Sequence, residues 1–307
     1  MNTPDYVTFN IIIDDIIFPD GQTQMGIIGG GGPQTAFGMR LWTDSVGIVA
    51  GVGKDLPEHV QKWMHQSNLD QAGLHISDMP TPRAWQVMEE NGRRTQIWRV
   101  SPDVISKQLG RSIERIPKTF RHAKGFHLGI HPSEIEFDFL RDLSALGCIV
   151  SIEAYRSAQQ PLDPAHIKNL LSQIDIFSPN LYEAASILGE QDPKIIIYKL
   201  FDYGAKIVAL RMGAKGSLIA ESCSRSIVQI PAVPVTPVDP VGAGNAYCGG
   251  FIVGWSETKN LITAGLYGAI SASFLVERVG IPIVSQSVQQ TAYNRLNNLN
   301  KKITSDT

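Results

Sequence analysis

The sequence predicts a doubly wound α/β fold, in which a mostly parallel sheet carries helices on both faces. Three observations lead there. Short runs rich in Ile and Val recur at residues 7–13, 46–49, 126–130, 148–152, 174–177 and 207–210. They lack the polar–apolar alternation of a half-buried strand, as strands covered on both faces do. Segments of helical spacing separate them, and alternating strands and helices build parallel sheets.

Taken in order, the first strand is followed by a break in this rhythm. The segment IIFPDGQTQMGIIGG carries a Pro-Asp-Gly turn signal, and later AWQVMEENGRRTQIWRV sets Asn91-Gly92 between two β-prone arms. Asn-Gly in that setting marks a hairpin, because both residues tolerate positive φ. Segments of about 16–28 and 84–100 therefore predict a small β-sheet. Drawn from two separated parts of the chain, it reads as a lid on one core, with residues 1–307 forming a single domain; two surface hairpins without a role are the plainer alternative. From about Pro164 onward the helix–strand alternation is regular, and the last helical segments span residues 246–255, 261–275 and 288–299. The polar residues 300–307 are expected to fray.

Composition narrows the class. The 307 residues admit two domains or one large unit, at about 100–200 residues per domain. With 43% hydrophobic and 18% charged residues the chain is neither disordered nor a coiled coil. Lys and Arg number 27 against 29 Asp and Glu, a net charge of -2 with no basic run, so nucleic acid is not an expected partner. Cys148, Cys223 and Cys248 are too scattered for a disulfide framework or a CxxC metal knuckle, which points to a reducing compartment. The N-terminus lacks a basic, apolar, small-residue leader, and no stretch approaches the roughly 18 apolar residues of a membrane span. A soluble, cytoplasmic protein without a membrane partner is expected.

Three glycine clusters bear on chemistry. In Gly29-Gly30-Gly31-Gly32-Pro33-Gln34-Thr35 the last glycine of a dinucleotide fingerprint is replaced by Thr35. GVGKDL at residues 51–56 fails as a P-loop, lacking Gly at Ile48 and a hydroxyl residue at Asp55. The third cluster is more informative. Prolines at 234, 237 and 240 keep the approach extended, and an apolar helical run begins just after Gly244. That arrangement aims the N–H groups of Gly242, Ala243 and Gly244 at one point at a helix N-terminus, where they can hold an anion.

Residues 239–250 read D-P-V-G-A-G-N-A-Y-C-G-G, which resembles the D-T-T-G-A-G-D-A-F-x-G-G signature of the PfkB or ribokinase-like family of carbohydrate and nucleoside kinases. Further matches follow in the family's order: FNIIID ending at Asp14, GGGGPQTA for GGxxxN, GVGKD for GxxGxD, Asn180-Leu181-Tyr182-Glu183 for NxxE, and MGAKGS from Met212 for LGxxGS. The resemblance implies ATP and Mg²⁺ as cofactors, with a monovalent cation as a further candidate. It implies a small-molecule acceptor (sugar, polyol or nucleoside) under the lid. Gly242, Ala243 and Gly244 would form the anion hole for the transferred phosphoryl group. Asn180 and Glu183 would hold Mg²⁺ through its waters. Arg211, Gly213 and Gly216 would lie near the nucleotide, and Asp14, Gly30 and Gln34 near the acceptor.

The departures matter as much. The family's catalytic base is the Asp of GAGD, and here that position is Asn245. An amide can orient a hydroxyl but cannot take its proton; a positioned base contributes about 10²–10⁴-fold. Asp239, Asp14 and Asp15 are the carboxylates weighed as replacements, and none is expected to substitute fully. Gln34 stands in place of Asn, and Arg211 where Thr often precedes the LG turn. A phosphotransferase weakened at Asn245 and a catalytically impaired nucleotide- or sugar-binding regulator are thus the two leading readings, with a nicotinamide-dependent oxidoreductase third. A monomer or a lid-mediated homodimer is expected, since an exposed lid edge can pair across subunits.

Other signals carry less. His127 and His131 have the spacing of helical metal ligands, but residues 125–130 read as a strand and no third ligand is spaced to join them. No GxSxG elbow supports a hydrolase triad. Arg93, Arg94, Trp98 and Arg99 read as a solvated hairpin face.

Overall fold

The structure is a computed structural model that describes residues 3–90 and 94–305; the Asn91-Gly92 turn lies outside the described residues. The elements are, in order, β1 (Tyr6–Phe9), β2 (Ile12–Ile17), β3 (Thr23–Gly29), α1 (Gly32–Arg40), β4 (Val46–Gly53), α2 (Glu58–Gln66), β5 (Asp70–Ser77), β6 (Arg83–Met88), β7 (Arg94–Trp98) and α3 (Pro102–Leu109). They continue as β8 (Gly125–Ile130), α4 (Phe137–Ser144), β9 (Ile149–Ala154), α5 (Pro164–Ser172), β10 (Ile176–Phe177), α6 (Leu181–Leu188), α7 (Pro193–Asp202) and β11 (Ile207–Arg211). The chain closes with β12 (Ser217–Glu221), β13 (Ile227–Ile230), α8 (Ala243–Thr258), α9 (Leu261–Val276) and α10 (Gln286–Ser305).

Nine strands form the main sheet in the order β13-β12-β11-β10-β9-β8-β1-β4-β5. From β11 to β5 every neighbouring pair is parallel, and β12 and β13 add antiparallel strands at one edge. Their apolar runs are continuous because both faces are buried. In β11, Ile207 and Ala209 pack into one core, while Val208 and Leu210 pack into the other. Helices α1, α2, α8, α9 and α10 contribute to the first core and α4 to α7 to the second. Strand order reverses between β1 and β8, and in open parallel sheets the crevice beyond the strand ends at such a reversal is the usual ligand site.

The single strand expected over residues 7–13 is two strands in different sheets. Asn10 breaks it with φ 71, a left-handed conformation that Asn tolerates better than most residues. After this turn β2 leaves the main sheet and enters a four-stranded sheet ordered β3-β2-β6-β7. Its strands come from residues 12–29 and 83–98, against the expected segments of 16–28 and 84–100. Asp15 anchors this sheet internally. Its fully buried carboxylate takes both Arg83 Nε at 2.6 Å and Nη2 at 2.7 Å, the Gly26 N–H at 2.9 Å, and Arg99. Arg99 also lies over the Trp85 ring at 4.7 Å, so it belongs to this cluster rather than to a solvated hairpin face. The last helix continues to Ser305, past the expected end at Leu299 and into the segment expected to fray. Among the described residues no helix is long and apolar enough to cross a membrane.

Candidate functional site

The helix caps separate two kinds of N-terminus. Side chains cap α5 (Asp163), α6 (Asn180), α7 (Asp192) and α9 (Asn260), each accepting from a first-turn N–H. Among the described residues no side chain caps α1, which follows Gly31, or α8, which follows Gly242, and α2 and α4 also start without one. A side-chain cap satisfies N–H groups that would otherwise point at solvent or a ligand. Gly242 has φ 78, which turns the chain from the proline-rich approach into α8. Asp239 Oδ1 accepts from Val241 N at 2.9 Å and holds the approach. One expectation needs correcting: the Ala243 N–H bonds Pro240 O at 3.2 Å, a turn contact that draws it away from the shared point. Among the described residues the N–H groups of Gly242, Gly244 and Asn245 have no acceptor.

The starts of α1 and α8 face each other. A Cβ built on Gly31 would stand 3.1 Å from Asn245 Nδ2, and one on Gly242 would stand 2.4 Å from Gln34 Cγ. Gln34 is buried, and its Oε1 has no hydrogen-bond partner among the described residues. A buried amide oxygen without a partner costs free energy that a ligand donor would recover. Asp14 completes this side. Its carboxylate lies against Gly29, accepts from Gln86 Nε2 at 2.7 Å, and is 7% exposed. Gly30, with φ 97, passes so close to β2 that a Cβ would meet Ile12 N at 2.6 Å, so its glycine is required by the turn itself.

Beneath the first turn of α8 lies a buried polar cluster supplied by strands β8, β9 and β11. Strand alternation points His127 of β8, Ser151 and Glu153 of β9, and Arg211 of β11 toward the α8 face, since their neighbours Phe126, Ile152 and Leu210 pack into the opposite core. Glu153 is the hub. One of its oxygens accepts from Asn245 Nδ2, and the other pairs with Arg211 Nη2 at 2.8 Å. Cys248 Sγ, one helical turn after Asn245, lies 3.7 Å from Glu153. His127 bonds Ser151 Oγ through Nδ1 at 2.9 Å and brings Nε2 to 3.6 Å from Glu153.

Arg211 is pinned on three sides. Its Nε and Nη2 donate to Ser178 O at 3.1 and 2.8 Å, Glu153 takes Nη2, and Glu183 lies 3.5 Å away. Its Nη1 would sit 1.8 Å from a Cβ on Gly244, so the guanidinium lies directly under the GAG turn. Burial alone would lift the Glu153 carboxyl, but the charge of Arg211, His127 and the Asn245 amide outweigh it and hold Glu153 below the usual carboxylate range. Burial would lower Arg211, yet the carboxylates of Glu153 and Glu183 outweigh it, so the guanidinium stays charged. Burial pushes the Cys248 thiol well up, which leaves it protonated.

Asn180 and Glu183 form a reciprocal capping box. Glu183 Oε2 accepts the Asn180 N–H and Oε1 accepts Asn180 Nδ2, both at 2.7 Å, while Asn180 Oδ1 accepts the Glu183 N–H at 2.9 Å. These bonds turn the carboxylate inward, and both residues sit beside Arg211 at the strand ends. Gly213 faces open space, whereas a Cβ on Gly216 would strike Ile230 O at 2.0 Å. Packing between β12 and β13 thus accounts for Gly216, with no ligand required.

The structure therefore brings Gly242, Gly244, Asn245, Gln34 and Arg211 together, with Asn180 and Glu183 beside Arg211 and Asp14 and Gly30 beside the start of α1. It replaces the His127–His131 pairing by a buried group of His127, Glu153 and Cys248, whose ligand atoms lie within 4.8 Å of one another. The Arg211 cation already neutralises that group. Glu153 itself escaped the sequence reading, because the strand expected over residues 148–152 ends one residue before it. A lone carboxylate at the end of the buried run IVSIEA was the available signal.

Comparison with known proteins identifies the family. The sequence pattern of the pfkB family carbohydrate kinase matches residues 11–286. A cytidine kinase from Thermococcus kodakarensis is 28% identical over 254 residues, covering 82% of this chain and 88% of that protein. A nucleoside kinase from Methanothermobacter thermautotrophicus is 23% identical over 298 residues, covering 93% of each. The solved Arabidopsis thaliana ribokinase, complexed with ribose and ATP, superposes with a TM-score of 0.72 at 21% identity over 96% of this chain and 99% of that one. From the ordered motifs, the ribokinase-like sheet and a match over most of its length, the chain belongs to the pfkB family of carbohydrate kinases.

Proposed function

We propose that this protein transfers the γ-phosphoryl group of ATP to a hydroxyl of a nucleoside, with a sugar or polyol as the other acceptor class. The observation that carries the reading is the uncapped start of α8, with the Arg211 cation beneath it and the amides of Asn245 and Gln34 beside it. Cytidine and nucleoside kinases among the relatives favour a nucleoside acceptor.

The chain's contribution follows from these residues. N–H groups of Gly242 and Gly244, with the helix dipole and Arg211, stabilise negative charge on the transferring phosphoryl oxygens. Gln34 and Asp14 hold acceptor hydroxyls, and Asn245 orients the attacking one. The acceptor oxygen bonds to the γ-phosphorus as the bridging P–O bond breaks, and the electron pair of that bond leaves with ADP. The hydroxyl proton departs late, by way of a phosphoryl oxygen, since the amide of Asn245 cannot keep it. The loose transition state of phosphoryl transfer places little demand on a base, so positioning and electrostatics supply most of the rate. Glu183 and Asn180 fit Mg²⁺ only through its waters, because their own hydrogen bonds already engage their oxygens. Mg²⁺ held there would supply positive charge to offset that of the phosphates.

Asn245 favours a second reading, in which the protein binds nucleotide without turnover. Acceptor-dependent ADP release separates the two, measured with Mg²⁺ and ATP over a panel headed by cytidine and extending to sugars. Release that depends on the acceptor and falls about 10²–10³-fold in Gly244→Val supports the kinase. No release with any acceptor, while ATP still raises the melting temperature, supports the binding protein.

A further inference from the structure

We propose that Glu153 is the positioning residue of this active site: it carries, one hydrogen bond removed, the negative charge that position 245 lacks, and it fixes Asn245 with its amide oxygen toward the acceptor. The inference rests on the kinase reading and deepens it. Three observations carry it. Glu153 is 3% exposed and lies 92 residues from Asn245 in sequence, yet its Oε1 accepts from Asn245 Nδ2. Its other oxygen pairs with Arg211 at 2.8 Å, and Arg211 Nη1 lies under Gly244. The neighbouring thiol of Cys248 and ring of His127 close the remaining sides.

An ionised carboxylate only accepts hydrogen bonds, so the amide of Asn245 has one allowed orientation. Nδ2 must face Glu153, and Oδ1 must face the crevice, where it accepts from a hydroxyl. Without Glu153 the amide could rotate by a half turn and present N–H groups, which would repel a donating hydroxyl. The net charge of the cluster is also set. Glu153 supplies one carboxylate charge to Arg211 beside that of Glu183, the charge an aspartate at position 245 would supply if residue 153 were neutral. Carboxylate and amide have exchanged places across a single hydrogen bond.

This makes a prediction opposite to that of a simply missing base. Asn245→Asp alone should lower activity, because it sets two carboxylates in contact beside one cation. Glu153→Gln alone should lower kcat about 10–100-fold with little change in acceptor KM, since the amide loses its orientation and Arg211 the nearer of its two carboxylate partners. The double variant Glu153→Gln/Asn245→Asp restores one negative charge and the hydrogen bond, and should recover kcat well above either single variant. The test is steady-state ADP release by all four proteins, with melting temperatures recorded alongside. A double variant no more active than the singles overturns the proposal. So does recovery of melting temperature without recovery of kcat, which would mark Glu153 as a purely structural residue. A wild type that is inactive with every acceptor defeats the kinase reading itself and the proposal with it, an outcome distinct from an active wild type with uncoupled variants.

Discussion

Gly244→Ala offers a sharp test of the site, because local propensity and tertiary structure predict opposite signs. In a helix, Gly to Ala normally stabilises by about 1 kcal/mol. Here the new Cβ would lie 1.8 Å from Arg211 Nη1 and 3.1 Å from Cζ. Ordinary contact needs about 3.5–4.0 Å, so the guanidinium must retreat by about 2 Å. An arginine tip can usually move cheaply, but this one is held by Ser178 O through Nε and Nη2 and by Glu153 at 2.8 Å. A shift of that size breaks at least two charge-assisted hydrogen bonds of about 1.5–3 kcal/mol each. After the helix gain and partial repair by water, a net loss of about 2–4 kcal/mol remains. In a chain of this size that lowers the melting temperature by roughly 3–6 °C. Scanning calorimetry of wild type, Gly244→Ala, Arg211→Met and the double variant isolates the contact, since the alanine should be harmless once the guanidinium is gone. A Gly244→Ala protein melting at or above wild type would refute the placement of Arg211 under the turn.

Asp15→Asn should destabilise the small sheet by about 1–3 kcal/mol, less than a fully buried ion pair implies, because Arg83 and Arg99 remain 37% and 34% exposed and can rehydrate; urea unfolding would show it as a lower midpoint. Burial opposes ionisation of Asp15, but Arg83, the Gly26 N–H and Arg99 overcome it and hold its carboxyl below the ordinary range. Its folded-state affinity for protons is therefore weaker than in the unfolded chain. The stability it contributes is fully present above about pH 5 and is lost as pH falls through the free and then the folded value. Urea midpoints that hold steady or rise between pH 6 and pH 3.5 would contradict this, and Asp15→Asn should flatten part of the slope. Glu183→Gln should raise the Mg²⁺ concentration needed for half-maximal ADP release several-fold, as one carboxylate charge leaves the metal's outer coordination sphere; an unchanged Mg²⁺ dependence would remove Glu183 from that role. Chelation of Mg²⁺ by EDTA should abolish release, and added Mg²⁺ should restore it.

Much of the architecture was legible because it follows from local pattern. Ile- and Val-rich runs mark strands buried on both faces, as in β8 and β11. The proline approach and glycine turn mark an uncapped helix start at α8. Residues 7–13 misled for an instructive reason: an uninterrupted apolar run carries no sign of which sheet it enters, and only the left-handed Asn10 divides it. Position 245 was legible as a departure, yet its consequence was not. The carboxylates weighed in its place, Asp14, Asp15 and Asp239, were near in sequence or near an expected acceptor. Asp15 instead binds Arg83 and Arg99, and Asp239 holds its own loop.

By itself the sequence determined the α/β class, the ordered kinase motifs, the glycine turn at the start of α8 and the absence of an aspartate at position 245. Those features depend on hydrophobic period, backbone conformation and residue identity, all of which are local. Tertiary structure alone decided what surrounds Asn245. Glu153 on β9, Arg211 on β11 and Cys248 on α8 meet only because parallel strands end side by side beneath one helix. Electrostatic partnership depends on distance in space across buried, low-dielectric surroundings, and that distance is set by the fold rather than by separation along the chain.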